Sequence, residues 1–460
     1  MPEGIPERNS PPRKGSPTSG YIPTLGVFSG TMMVVGGIIG SGIFLNPAIV
    51  AQRVGSVKLT LLAWVLGGVI ALIGALVYAE LGSQRPFAGG GYIYLRDGYG
   101  RLPAFLYAWT LLLVIATGAI AAVAVTFASY TSALLGLGPA TRVPLAIAAI
   151  VILSAVNYLG VRPGSITQNV FTLLKLAALA CLIAAGLLAQ PSAATPAVAP
   201  AQQGGTMLAL GAAMVPVLFA YGGWQQTNFV AQELIRPEKN LPRALVLGVT
   251  IVVVVYLLAN LAYVRTLGLA GLAASTAPAA DSMEALRGKP GRTLIAAGIA
   301  LSTFGFLNLV ILVSPRVYQA MAGDGLFFPS VARLHPRYRT PSGAILFQGA
   351  WAILLTLTGR YGDLLDYVVF GDWIFFGATA ATLFVFRARE TAGQPAHVRF
   401  RMRGHPVGTA IFVLAAVYVV VGSIASNPGN ALKGTALILL GIPVFLWWDS
   451  RRIRSATRPL

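Results

Sequence analysis

The 460-residue chain is 56% hydrophobic and only 10% charged, with a mean hydropathy of +0.74. That composition describes a polytopic membrane protein and excludes an ordinary soluble domain. A formal charge of +19 would suit nucleic acid, but the basic residues lie between apolar runs, as a membrane surface requires; the single cysteine, Cys181, excludes an intramolecular disulfide and a Cys metal site.

Residues 1–22 are rich in Pro, Ser and Arg and have no apolar core, so they read as a disordered tail and not as a cleaved signal. Twelve apolar spans follow, near 24–51, 58–82, 102–130, 143–160, 166–189, 206–234, 243–264, 292–321, 342–359, 363–387, 406–424 and 431–449. With the first segment inside, the inner segments carry 23 Lys and Arg and the outer segments 9, Lys175 being the remaining one. This bias places both termini in the cytoplasm and the chain in a plasma or inner membrane. It also sets the basic loops against anionic headgroups. The outer connection between spans seven and eight, with four basic residues, runs against the trend.

Span one contains Val34–Asn46, VVGGIIGSGIFLN, with glycines at 36, 37, 40 and 42. Each glycine weakens a helix by about 1 kcal/mol relative to alanine, and Ser41 can hydrogen-bond backbone in place of the helical ladder. Small residues also suit a close helix crossing. A helix that opens here bares backbone at membrane depth, which is tolerable only inside protein or beside a wet cavity. Span two ends at Glu80 and leads into a loop with Gly89, Gly90 and Gly91. No Lys-Ser/Thr pair follows as a phosphate loop needs, so the glycines read as a tight re-entry into span three. Span five carries Lys175 about nine residues into the apolar run, roughly 13 Å deep at 1.5 Å per residue. A charge there costs about 3 kcal/mol or more. Either its stem snorkels, or its ammonium donates to carbonyls bared at the span-one break and to hydroxyls on span eight, with Ser302 and Thr303 as candidates. The stretch 190–205 is low-complexity and reads as a flexible join.

In span six, Pro216 and the pair Gly222-Gly223 interrupt the helix at a depth matching Gly40 in span one. Two spans broken at matching positions, five spans apart and oppositely directed, indicate a transporter built from inverted repeats. The half-helix starting near Gly40, Ser41 and Gly42 would present free N–H groups and a positive dipole end to a carboxylate. The carbonyls ending the first halves, near Ile38–Ile39 and Phe219–Ala220, would suit an ammonium group. A carboxylate site beside an ammonium site describes an α-amino acid, and Gly222 admits close approach. Asp372, in span ten, is the other intramembrane charge, either an ion-pair partner or part of an outer vestibule. No histidine, paired-acid metal motif or Ser/His/Asp set falls within the spans, which excludes an intramembrane enzyme. No cofactor or metal is expected.

GIIGSGIF (Gly37–Phe44), and FAYGGW (Phe219–Trp224) followed by NFVAQELIRPEKNLPRAL (Asn228–Leu245), resemble the amino acid–polyamine–organocation superfamily, in its L-amino acid transporter branch. Ser314–Phe328, Leu334–Phe347, Tyr367–Gly377 and Phe400–Val417 extend the resemblance over spans one to eleven. It implies an all-α fold of the leucine-transporter type, with five-span repeats at 23–190 and 206–388, two further spans within 405–450 and a cytoplasmic tail at 451–460. It also implies carriage of neutral L-amino acids by alternating access, with Phe219 as an aromatic gate and Lys175 in place of a sodium ion. Amino acid exchange is the expected coupling; proton symport, or a channel or sensor on the same fold, are the alternatives. Where the family has an acidic pair after the second motif, this chain has Gln232-Glu233, and RARETAGQPAHVRF diverges from its basic-proline run.

Overall fold

The computed structural model describes residues 20–190, 205–359, 361–392 and 399–456. Helices form at each of the expected spans. In chain order they are α1 (Val27–Ile38), α2 (Gly42–Val54), α3 (Val57–Gln84), α4 (Gly91–Tyr99), α5 (Arg101–Leu134), α6 (Arg142–Tyr158), α7 (Val161–Leu188), α8 (Thr206–Ala220), α9 (Pro237–Ala274), α10 (Pro278–Val313), α11 (Pro315–Gly323), α12 (Ser342–Thr358), α13 (Tyr361–Thr391), α14 (Val407–Ser426), α15 (Pro428–Leu439) and α16 (Gly441–Ala456). Among the described residues, nine single helices or continuous helical stretches are long and apolar enough to cross a membrane, and the bent pair α1–α2 makes a tenth. Helix α12, with 17 residues, is shorter.

The broken span is the centre of the molecule. Helix α1 is buried from Gly30 to Ile38 and packs against α7 and α9, while α2 packs against α8. Lipid is as apolar as leucine, so such contacts hold by close packing and hydrogen bonds. Small residues make that packing possible. A Cβ at Gly248 of α9 would lie 2.5 Å from the Val34 side chain of α1, and one at Gly186 of α7 would lie 2.7 Å from Ala262 Cβ.

Several sequence expectations shift. The tail at 1–22 falls outside the described residues up to 19, but Tyr21 is buried and its hydroxyl donates to Gln319 Oε1 at 3.5 Å. The join at 190–205 lies outside them except at its edges, as do residues 457–460 of the terminal tail and the centre of the divergent stretch 387–400. The glycine-rich re-entry is real, with Gly89 and Gly90 at positive φ, but helix α4 intervenes before span three begins at Arg101. The four-cation connection between spans seven and eight is helical and not an open loop. It turns at Gly268 and Gly288, and there Arg265 donates to the Ala189 carbonyl while Arg292 pairs with Glu284.

One end of the bundle is tied by ion pairs. Glu80 is fully buried, bound to Arg387 Nε at 2.7 Å and accepting from the Met402 N–H at 2.7 Å. Arg96 bridges Asp97 and Asp324. Deeper still, Arg316 and Glu233 pair through two bonds of 2.9 and 3.2 Å at 0% and 1% exposure. The sequence reading recognised only Lys175 and Asp372 as intramembrane charges; Lys175 is fully buried and Asp372 half-buried, and Glu80, Glu233 and Arg316 join them as buried charges, since each has a partner that lets it be buried. Of the histidines, His405 bonds Thr409 through Nδ1 at 3.0 Å. Partial burial and neighbouring Arg387 lower its pKa, against the opposing pull of Glu80.

Candidate functional site

Helix α1 ends at Ile38 because Gly36, Gly37, Gly40 and Gly42 give it little to hold a ladder together. Ile39 leaves the helical region with ψ 87°, and the Gly40 N–H turns back to the Ile38 carbonyl at 2.8 Å. The chain restarts as α2 at Gly42, bent by 44°. The Gly42 and Ile43 N–H groups that open α2 therefore have no carbonyl within the helix to reach, whereas the Phe44 N–H turns back to the Ser41 carbonyl at 3.1 Å. In span six, α8 ends at Ala220, the Gly222 N–H closes on the Phe219 carbonyl at 3.1 Å, and Gly223 takes φ 107°. A 3-10 segment, Trp224–Glu233, continues the chain.

The two breaks touch. A Cβ on Gly223 would lie 2.1 Å from the Gly37 carbonyl oxygen, and one on Gly42 would lie 2.9 Å from Ala220 Cβ. Tyr256 of α9 fastens them together, its hydroxyl lying 3.0 Å from the Ile38 carbonyl and 3.1 Å from the Ala220 carbonyl. A Tyr256→Phe substitution removes both contacts at nearly constant volume. It is expected to destabilise the protein by about 1 kcal/mol, read as a lower thermal unfolding midpoint in detergent, because the one hydroxyl proton is shared between the two carbonyls and a neutral hydrogen bond contributes about 1 kcal/mol.

Both breaks open on one cavity of about 160 Å³, lined from span one by Ile38, Gly40, Ser41 and Gly42, and from span six by Phe219, Ala220 and Gly222. Phe219 is 42% exposed. Apolar residues of α5 and α10, including Ile115, Val123 and Phe306, complete much of the wall, with Thr126, Gln226, Thr303, Ser314 and Asp372 as polar members. Helix α5 widens into a π-turn over Leu111–Ile115, at the edge of the cavity. Such turns free carbonyls, and here Tyr318, Trp351 and Thr117 donate to those of Leu111, Leu113 and Leu112. The sequence reading missed this turn, whose residues carry no distinguishing pattern.

Of the expected binding residues, Ile39 does not line the cavity: it is fully buried and its carbonyl faces Lys175. The carbonyls assigned to a ligand ammonium are engaged within the protein. Ile38 and Ala220 accept from Tyr256, Phe219 accepts from Gly222, and Ile39 accepts from Lys175 Nζ at 2.8 Å and from the Ser302 hydroxyl at 3.4 Å. A carbonyl has two lone pairs; those of Ile38 are met by the Gly40 N–H and the Tyr256 hydroxyl, and those of Ile39 by Lys175 and Ser302, so Ala220, which lines the cavity, retains acceptor capacity and Ile38 and Ile39 do not.

Lys175 does not snorkel. Its side chain is fully buried, with Nζ also 3.2 Å from the Gly36 carbonyl, so one ammonium holds carbonyls on both sides of the helix end. The hydroxyls expected around it are placed otherwise. Ser302 shares the Ile39 carbonyl with the ammonium, and Thr303 donates back into its own helix, to Ile299 or Ala300 at 2.9 Å, while lining the cavity. Asp372 has no ion pair with Lys175; it stands in the cavity wall.

Comparison with known proteins agrees with this architecture. A family model described as amino acid permease matches residues 25–447. The chain is 34% identical to large neutral amino acids transporter small subunit 2 of Homo sapiens, covering 97% of this chain and 85% of that protein. It is 33% identical to b(0,+)-type amino acid transporter 1 of Mus musculus, over 95% of this chain and 91% of that protein. It is 31% identical to the serine/threonine exchanger SteT of Bacillus subtilis, over 94% and 98% respectively.

Proposed function

The chain belongs to the amino acid permease family, in the L-amino acid transporter branch of the amino acid–polyamine–organocation superfamily, and on that premise we propose that it carries neutral L-amino acids across the membrane by sodium-independent exchange. It is a multi-pass membrane transporter and not an enzyme. The observation that carries the finer reading is the meeting of two helix breaks on one cavity.

The ligand carboxylate lies at the start of α2, where the orphan N–H groups around Ser41 and Gly42 and the helix dipole favour an anion. The ammonium takes the remaining lone pair of the Ala220 carbonyl, beside Gly222. The apolar wall from Ile115, Val123 and Phe306 receives a neutral side chain. Phe219, on the cavity wall and 42% exposed, serves as the gate that covers the ligand. Both termini lie in the cytoplasm, with the basic connections against anionic headgroups of a plasma or inner membrane. Segments 23–190 and 206–388 act as inverted repeats that rock about the breaks.

Sodium independence rests on the Lys175 ammonium, which is held by the Gly36 and Ile39 carbonyls beside the break. A cation fixed there leaves no charge for sodium to supply. In proteoliposomes, uptake of a labelled neutral amino acid is expected to saturate, to favour the L-enantiomer, and to persist when choline replaces sodium. Loss of most uptake on that replacement would overturn the sodium reading, and conductance without substrate saturation would replace the carrier with a channel.

A further inference from the structure

We propose that the connection between α13 and α14 holds a site for one phosphate-bearing anion, and that its occupant is the headgroup of an anionic phospholipid. The site shares no lining residue with the cavity between the breaks, so it stands apart from the transport reading. It overlaps the stretch where the sequence departs from the family pattern. From 387 to 405 the chain carries five arginines, at 387, 389, 399, 401 and 403, with two histidines and one acid, Glu390.

The connection has a fixed backbone. Phe400 and Met402 pack on the core, while Arg399, Arg401 and Arg403 alternate with them and are exposed. The Phe400 N–H donates to the Ser83 hydroxyl at 3.1 Å and the Met402 N–H to Glu80 at 2.7 Å, which docks the run on the end of α3. Between it and the last turns of α13 lies an open cavity of about 510 Å³, lined by Phe384, Arg387, Glu390, Thr391, Arg401 and His405. The donors around it are only partly used. Arg387 gives Nε and Nη2 to Glu80, and Arg401 gives Nη2 to Glu390 at 2.9 Å. Among the described residues, neither Nη1 has a partner. His405 spends Nδ1 on Thr409, which leaves Nε2. Guanidinium forks match phosphate oxygens and are less strongly hydrated than an ammonium. Glu80, Glu238 and Glu390 pair with three of the five arginines, so the connection keeps two positive charges for an anion.

The surroundings favour a lipid as the source of the phosphate. Helix α14 starts two residues beyond His405, and Val407, Ile411 and Leu414, spaced along one face, are exposed. In a membrane-spanning helix such a face meets lipid chains, so the hydrocarbon begins there and the cavity lies at headgroup depth. Phe384 lines the cavity with its ring 5.1 Å from that of His405, an apolar flank for the glycerol end of a lipid. Basic pockets between membrane helices at this depth recognise lipid phosphates. A soluble phosphate would use the arginines but neither Phe384 nor the exposed face of α14.

The test uses the full purified chain in a neutral detergent, with lipid retention read by native mass spectrometry. At equal amounts, phosphatidylglycerol is expected to be retained at one per chain in preference to phosphatidylcholine. Arg401→Gln should weaken that retention about fivefold, equivalent to about 1 kcal/mol for one arginine near a membrane surface, and Arg401→Lys should keep most of it. His405→Ala, which breaks no ion pair, should weaken it as well. Arg292→Gln removes an exposed arginine outside this connection and should change nothing. Arg387 is left in place, because its loss would strand the buried Glu80. No preference for phosphatidylglycerol would overturn the proposal, as would unchanged retention in both Arg401→Gln and His405→Ala, or an equal loss in Arg292→Gln. Displacement of the lipid by millimolar inorganic phosphate would assign the cavity to a free anion and overturn the lipid as its occupant.

Discussion

Gly223→Ala is expected to abolish transport. The residue sits at φ 107°, where an L side chain is strained by about 1–2 kcal/mol. Its Cβ would fall 2.1 Å from the Gly37 carbonyl oxygen. That atom is backbone, in a helix end fixed by Lys175 and Tyr256, and cannot rotate away as a side chain would. Overpacking of this kind adds roughly 1–3 kcal/mol, so the two breaks cannot keep their contact and the cavity between them is lost. Gly222→Ala, one residue earlier, is the control. There the nearest atom outside its chain neighbours is the Phe219 oxygen at 3.3 Å and φ is ordinary, so a much smaller loss is expected. Saturable uptake, with gel filtration to confirm intact protein, reads both. Wild-type uptake by Gly223→Ala would mean that the breaks do not meet as described.

Lys175→Met is expected to lower transport by about a hundredfold with little loss of folded protein. Methionine keeps an unbranched stem in the same space but removes the ammonium that holds the Gly36 and Ile39 carbonyls. Each charge-assisted bond contributes about 1.5–3 kcal/mol, and the two lie on either side of the end of α1, so their loss frees the geometry that creates the site. Folding suffers less, because removing a buried charge also removes its desolvation penalty. Lys175→Arg is not expected to rescue: a planar fork does not reproduce a point charge between two carbonyls. Uptake at the wild-type rate in Lys175→Met would remove the lysine from the account.

The two breaks and Lys175 were legible in the sequence for one physical reason. Glycines inside a span and a charge inside an apolar run are both expensive in a membrane, so they stand out against their surroundings. The use of the carbonyls was not legible. Tyr256 lies 218 positions from Ile38 along the chain, and nothing in VVVVYLLAN says which backbone oxygen its hydroxyl will find. For the same reason Ile39 was assigned to the ligand, although the ammonium expected to visit the break takes that carbonyl for itself. The π-turn at Leu111–Ile115 is written in plain leucine, valine and isoleucine and is stabilised by Thr117, Tyr318 and Trp351, two of them from distant helices. The Glu233–Arg316 pair was visible as two residues and not as a contact, since 83 positions separate them. Asp372 was seen as an intramembrane charge whose surroundings only the packing of α13 on α5 could supply.

Exchange requires the empty protein to reorient slowly and the loaded protein quickly. A ligand that bridges α2 and the end of α8 supplies that difference, because only then are both broken spans bound to one body. The most direct measurement is efflux of preloaded labelled L-amino acid from proteoliposomes, with and without unlabelled amino acid outside. External substrate is expected to accelerate efflux strongly, with the acceleration saturating and favouring the L-enantiomer. Equal efflux with and without external substrate, or accumulation driven by an inward proton gradient, would contradict exchange through this site.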